Sequence, residues 1–353
     1  MIGDFEARRS WRGGIELQTK IAEPRPYIKK RSVIVGAGFS GRTLAREIIK
    51  SRNGYEAIGF VDDDPRKVGR CFEGLQILGR SDELADVIGR HRADTVILAI
   101  NGRARPSSLS KVLTSCEALG VRVLDMPSVF EALTGKVPVE HVERSWFPMG
   151  AKELGVSRAQ AFWTRIGDIL LSLVALAGFG LALPAAALAI KMDSRGPVFF
   201  SQERVGFKGR IFRLHKLRTM IADAEVNGDP VWAETDDSRV TKIGRQLRRF
   251  RFDEFPQFWN VLRGQMSVVG PRPERPYFVE QLRRDLPHYD LRHEIKPGIT
   301  GWAQICQGYA SSSQESFEKL QFDLYYLRHR SLIWDLSIIL KTARVVLLGT
   351  GAK

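Results

Sequence analysis

Between Ile169 and Ile190 the chain runs for 22 residues without a single charge. That length lies within the roughly 17–25 residues a membrane helix needs, so any fold that leaves this stretch in a solvated loop is excluded. Two features argue against a plain crossing. Basic residues flank both ends, Arg158 and Arg165 before and Lys191 and Arg195 after, so charge asymmetry sets no direction of insertion. Gly178, Gly180 and Pro184 fall inside the segment, and proline removes a backbone donor and crowds the preceding turn. Against the alternatives of a plain span and a buried core helix, the expectation is a re-entrant helix over about residues 163–191, with Pro184 as its membrane residue, that enters the bilayer and returns to the same face.

The remainder is not membrane-like. The 353 residues suffice for two domains, and 44% apolar against 27% charged residues excludes both a disordered tail and a polytopic membrane protein. Lysine and arginine total 54 against 40 acids, a net charge of +14 spread over both halves of the chain. Such an excess suits nucleic acid, anionic lipid or phosphorylated substrates without choosing among them. The 3 cysteines have no CxxC spacing and read as reduced cytosolic thiols. The 6 histidines show no metal spacing, which argues against zinc. Residues 1–30 read as a linker with no cleavable signal peptide.

Residues 31–145 alternate strand-like and helical stretches. Strands are expected at 32–36, 57–61, 95–100 and 121–124, and helices after Gly41, at 81–90 and at 107–119. That alternation predicts an α/β, Rossmann-like domain with a parallel sheet. Residues 146–161 form a connector, and residues 162–353 a second, membrane-associated α+β domain of short strands, basic amphipathic helices and Gly-Pro turns. Its last helix, from Leu332 to Leu348, suits either a packed core or a lipid interface.

Three constellations could carry chemistry. The first is GxGxxG at Gly36, Gly38 and Gly41, between a strand and a helix, with Asp62 at the end of the second strand. It suits a nucleotide phosphate at a helix N-terminus with the acid on a ribose; the same glycines also serve a scaffold that binds nothing. The second is KIGRQLRRFRFDEFPQFW, residues 242–259, in which five basic residues precede the adjacent acids Asp253 and Glu254. Neighbouring carboxylates can share a divalent cation, and an ionised aspartate can attack phosphorus once its charge is offset. The alternative is an acid pair merely salt-bridged to those arginines. The third is a pair of Gly-Pro turns that present Arg272, Lys296, Thr300 and Gln304. They could clamp a phosphate or be ordinary turns.

From about Phe162 onward the chain resembles the bacterial sugar transferase family, the monotopic phosphoglycosyl transferases that act on polyprenyl phosphate. The resemblance rests on LLSLVALAGFGLALPAAALAIKMDSRGPVFFSQERVG, FRLHKLRTM, RRFRFDEFPQFWNVLRGQMSVVGPRPE, LRHEIKPGITGWAQ and FDLYYLRHRS. The segment DPVWAETDDSRVTKIGR and the ending ARVVLLGTGAK resemble the exopolysaccharide-associated branch, and residues 31–145 resemble the CoA-binding-like domain of larger members. The resemblance implies transfer of sugar-1-phosphate from a UDP-sugar to undecaprenyl phosphate with release of UMP. It implies Asp253 as nucleophile, Glu254 as helping to hold Mg2+ or to manage protons and charge, Lys216 as an important lysine and Arg272 as a phosphate-binding arginine; Glu274, Arg292, Lys296, Thr300 and Gln304 are the further candidates for substrate or phosphate binding. Larger relatives begin with several membrane helices and this chain shows none before its Rossmann-like domain, so either a shorter architecture or a truncated start is expected. The location implied is the bacterial inner membrane with both domains facing the cytoplasm, a homodimer being left open.

Two other classes compete. A nucleotide-sensing regulator built on residues 31–145 would not need the acidic pair. A nucleic-acid binder would not need the uncharged segment, so nucleic acid is not expected as a partner.

Overall fold

The computed structural model describes residues 29–51, 54–100, 116, 120–142, 157–221, 237–307 and 313–348. The expected linker before residue 29 and almost all of the expected helix at 107–119 lie outside them. The chain divides into two compact units near residue 143.

The first unit is a parallel sheet with helical crossovers. In chain order it holds β1 (Lys30–Val35), α1 (Phe39–Lys50), β2 (Tyr55–Val61), β3 (Cys71–Phe72), β4 (Leu75–Gly79), α2 (Leu84–His91), β5 (Thr95–Leu98), β6 (Arg122–Asp125) and α3 (Met126–Thr134). The strand order is β3-β4-β2-β1-β5-β6, with every pairing parallel except β3 to β4. Side chains on β1 serve both faces, as period-two alternation requires. Ile34 packs with Leu44, Phe60 and Met126 on one side, and Val33 and Val35 pack with Leu84, Val87 and Val96 on the other. The chain leaves β1 in opposite directions toward β2 and β5, so the glycine turn after β1 sits at the switch point of a doubly wound sheet.

The second unit begins with α4 (Arg158–Asp193), followed by the antiparallel pair β7 (Phe199–Val205) and β8 (Ile211–Leu217). Then come α5 (Lys242–Arg249), a 3-10 turn at Phe252–Glu254, α6 (Gln257–Leu262), β9 (Ser267–Val269), α7 (Pro276–Asp285), β10 (Gly298–Thr300), α8 (Trp302–Cys306), α9 (Ser313–His329) and α10 (Leu332–Leu348). Helix α4 runs 36 residues as one continuous element with Pro184 inside it, so the proline does not end the helix. Most of its apolar length is uncovered, with Leu173, Val174, Leu181 and Leu188 exposed. The other side is seated on the unit at both ends. Near the start, Arg165 donates to the carbonyls of Val261 and Leu262 at 2.6 and 2.7 Å, closing the C-terminal end of α6. Asp168 accepts from the Ser267 hydroxyl and the Val268 N–H. At the far end Asp193 accepts from the Ile243 N–H, while buried Arg218 donates to the Ser194 and Arg195 carbonyls. Helix α10 answers the core-or-interface alternative with both faces. Asp335 and Ile338 are buried, whereas Ile333, Leu336 and Leu340 are exposed.

Candidate active site

The acidic pair sits on a turn anchored by its aromatic neighbours. Phe252 and Phe255 face α4, with ring centroids 5.5 and 6.0 Å from that of Phe179, in a cluster with Leu217, Ile243 and Leu247. Asp253 and Glu254, between those two rings in sequence, are 5% and 6% exposed. Arg251 enters the turn with φ of 54°, a left-handed conformation costly for a side chain with a Cβ. That strain is stored two residues before Asp253.

Glu254 is surrounded by cations. Its Oε1 lies 3.0 Å from Arg272 Nη2, 3.4 Å from Lys216 Nζ and 3.5 Å from Arg251 Nη1. Those charges, Arg272 foremost, hold its carboxyl far below the usual range despite the opposing effect of burial. Asp253 is the opposite case. Burial, reinforced by the charge of Glu254, pushes it up to about 6, against the pull of Lys216, Arg248 and Arg251. Its Oδ1 is buried and accepts no hydrogen bond. Opposite shifts on two adjacent carboxylates would let one be a proton-sensitive group while the other stays ionised.

The basic side chains arrive from separate elements. Lys216 comes from β8, and its strand is tied to α6 by Asn260, which accepts from the His215 N–H and donates to the Arg213 carbonyl. Arg272 comes from the Gly-Pro turn after β9. That turn lies against the second one so closely that a Cβ on Gly270 would stand 2.4 Å from the Lys296 carbonyl oxygen. A Cβ on Gly301 would stand 2.2 Å from the carbonyl oxygen of Gly270.

The structure thus gathers Asp253, Glu254, Lys216 and Arg272, and places the other candidates elsewhere. Glu274 is buried against Lys319 and Arg204, whose charges draw its pKa down. Arg292 spends its donors on Asp323, Tyr289 and a backbone carbonyl. Lys296 neighbours Arg165 and Asp168 at α4; burial and the Arg165 charge lower its pKa. Thr300 shares a hydrogen bond with Thr342 on α10, and Gln304 donates to the Ile299 carbonyl. Three neighbours escaped the sequence reading as individuals. Arg248 and Arg251 were legible only as members of a basic run. Gln257, 2% exposed with its amide Nε2 unbonded, had no signal beyond being polar among aromatics.

In the first unit Gly36 (φ +103°) makes the turn, and a Cβ on Gly41 would stand 1.9 Å from the Gly36 carbonyl oxygen. Gly38 has open space around it. The Asp62 carboxylate accepts from the Ala37 N–H at 2.7 Å and pairs with Lys67 at 2.9 Å. Here the acid ties the glycine turn to β2.

Residues 159–349 match the bacterial sugar transferase family, and residues 10–127 match a CoA-binding domain. The chain belongs to the bacterial sugar transferase family. A UDP-N-acetylgalactosamine-undecaprenyl-phosphate N-acetylgalactosaminephosphotransferase of Aeromonas hydrophila is 37% identical over 85% of this chain and 68% of its own length. UDP-glucose:undecaprenyl-phosphate glucose-1-phosphate transferases are 42% identical in Escherichia coli K12, over 89% of this chain and 67% of theirs, and 34% identical in Xanthomonas campestris, over 78% and 57%. The chain therefore spans between about half and two thirds of the length of these relatives.

Proposed function

We propose that this chain transfers a sugar-1-phosphate from a UDP-sugar to undecaprenyl phosphate, releasing UMP, as the initiating step of exopolysaccharide assembly. One observation carries the chemistry. The Asp253 Oδ1 is buried and unpartnered, beside a carboxylate whose charge three cations offset. A desolvated carboxylate without hydrogen bonds is a stronger nucleophile than a solvated one. In the first step the ionised Oδ1 attacks the phosphorus that bears the sugar. The bond from that phosphorus to the oxygen bridging to the uridine phosphate breaks, and UMP leaves with the electron pair. A phosphate oxygen of undecaprenyl phosphate then attacks the same phosphorus, the bond to Oδ1 breaks, and the aspartate is restored. Lys216, Arg251 and Arg272 offset the charge that gathers on the transferred group.

The residues fit a magnesium ion in part. Magnesium is held through one or two carboxylates plus substrate phosphates; with the Asp253 Oδ1 kept for attack and the Glu254 Oε1 engaged by cations, the second oxygen of each carboxylate is the one left for the ion. No larger cluster of metal-ligating side chains exists among the described residues. Asp253, with Glu254 beside it, would hold the ion, which when bound supplies charge neutralisation for the diphosphate.

We also propose that α4 is re-entrant at the inner membrane, with both units on the cytoplasmic side. Support comes from its seating. Arg165, Asp168 and Asp193, near the two ends of the helix, all bond to the same unit. That shared seat supports a helix whose two ends stay on one side of the bilayer.

The test is UMP release by purified protein with Mg2+, undecaprenyl phosphate and a panel of UDP-hexoses and UDP-N-acetylhexosamines. Release that depends on one donor and on the lipid supports the assignment; no release with any donor rejects it.

A further inference from the structure

Arg272 reaches Glu254 from a segment fixed at every residue. Gly270 donates to the Thr300 carbonyl, and the Pro271 carbonyl accepts from the Gly298 N–H, both at 2.9 Å. The Pro273 carbonyl accepts from Arg204 and the Glu274 carbonyl from the Val205 N–H. Two prolines also fix φ on either side of Arg272. The carbonyl of Arg272 itself is taken by a side chain, the Nη2 of Arg292, at 2.9 Å.

Arg292 is 3% exposed and already committed. The same Nη2 lies 2.7 Å from Asp323 Oδ2, and Nη1 donates to the Tyr289 hydroxyl at 2.8 Å. Asp323, on α9, is 1% exposed. A continuous path therefore runs from Asp323 through Arg292 to the Arg272 backbone, and from the Arg272 guanidinium to Glu254. Nη2 makes two of these bonds and Nη1 one, Nε is buried without a partner, and the guanidinium is turned into the protein and not toward the dyad. We infer that Arg292, held by Asp323 and Tyr289, is a positioning residue that aims the Arg272 guanidinium at the reacting centre. The inference rests on the transferase reading above.

Misplacing a catalytic group by about 1 Å can cost roughly 100-fold in rate, and residues acting through one another have non-additive effects. The test is a double-mutant cycle read on the first half-reaction alone, as the single-turnover rate of phosphosugar attachment with UDP-sugar and no lipid. Asp323→Asn in the otherwise wild-type chain is expected to slow attachment about tenfold or more, and Asp323→Glu to recover part of that loss. In an Arg272→Lys background, which keeps a cation but loses the fork, Asp323→Asn is expected to change the rate by less than about twofold. Tyr289→Phe removes only the Nη1 partner and is read in the same way should Asp323→Asn fail to fold. A wild-type chain that labels while the two losses multiply in full overturns the positioning role alone. A wild-type chain that never labels overturns the covalent reading and this one together.

Discussion

At the dyad, one residue apart, two carboxylates are driven in opposite directions, and pH separates their roles. Asp253 must be ionised to attack. Because burial raises its pKa to about 6, the rate of phosphosugar attachment is expected to fall as pH drops through that value. Lys216 is the largest of the charges opposing this shift, so Lys216→Met should move the acid limb to higher pH as well as slow the reaction. An acid limb at the same pH in both proteins would show that Lys216 does not govern Asp253. The same burial has a consequence for stability. An acid whose folded pKa is raised binds its proton more tightly when folded, so it weakens the fold at pH values above the folded pKa. Asp253→Asn removes that burden. It should abolish turnover while leaving the melting temperature at pH 8 unchanged or a few degrees higher, for a gain on the order of 1 kcal/mol. Loss of stability alongside loss of activity would mean that the carboxylate holds the fold together.

Among the elements, α4 and the two glycine-bearing turns show what a sequence displays and what it conceals. The apolar stretch of α4 was plain from its missing charges, but its full extent, Arg158–Asp193, and its seat were not. That seat depends on Asp168 meeting Ser267 and Val268, about 100 residues away. Asp168→Ala would strand a buried hydroxyl and N–H, and is expected to cost about 2–4 kcal/mol, read as a lower melting temperature in detergent. The GxGxxG pattern correctly announced a strand–turn–helix, yet it could not say what each glycine does. Gly41→Ala must push a methyl into the Gly36 carbonyl and should destabilise the first unit by more than about 2 kcal/mol. Gly38→Ala meets open space and should change stability by less than about 0.5 kcal/mol. Equal costs would contradict the packing account. The hairpin of β3 and β4 was not legible. It turns through Glu73 and Gly74, both at positive φ, and such turns announce themselves when asparagine or aspartate precedes the glycine, not glutamate. Arg292 was legible as an important basic residue but not in its role, because its partner Asp323 lies on another helix 31 residues on.

For the whole molecule, the division into a doubly wound sheet and a transferase unit with one long apolar helix was readable, since alternation of strand and helix and loss of charge are both local signals. The assembly of the site was only half readable. Asp253 and Glu254 are adjacent in sequence, whereas Lys216 and Arg272 reach them through tertiary packing of β8 and of the turn after β9. A same-side topology predicts that single cysteines at Arg66 and Arg284, in a chain whose native cysteines are replaced, are both labelled only from the cytoplasmic side. Labelling from opposite sides would make α4 a true span. A covalent phosphosugar on Asp253 is tested most directly by intact-mass spectrometry of the purified protein with Mg2+ and its UDP-sugar, in the absence of any lipid acceptor. The expected result is a mass increase of one phosphosugar per chain, mapped to Asp253, with a matching burst of UMP. Steady turnover in the presence of lipid with neither adduct nor burst in its absence would contradict it.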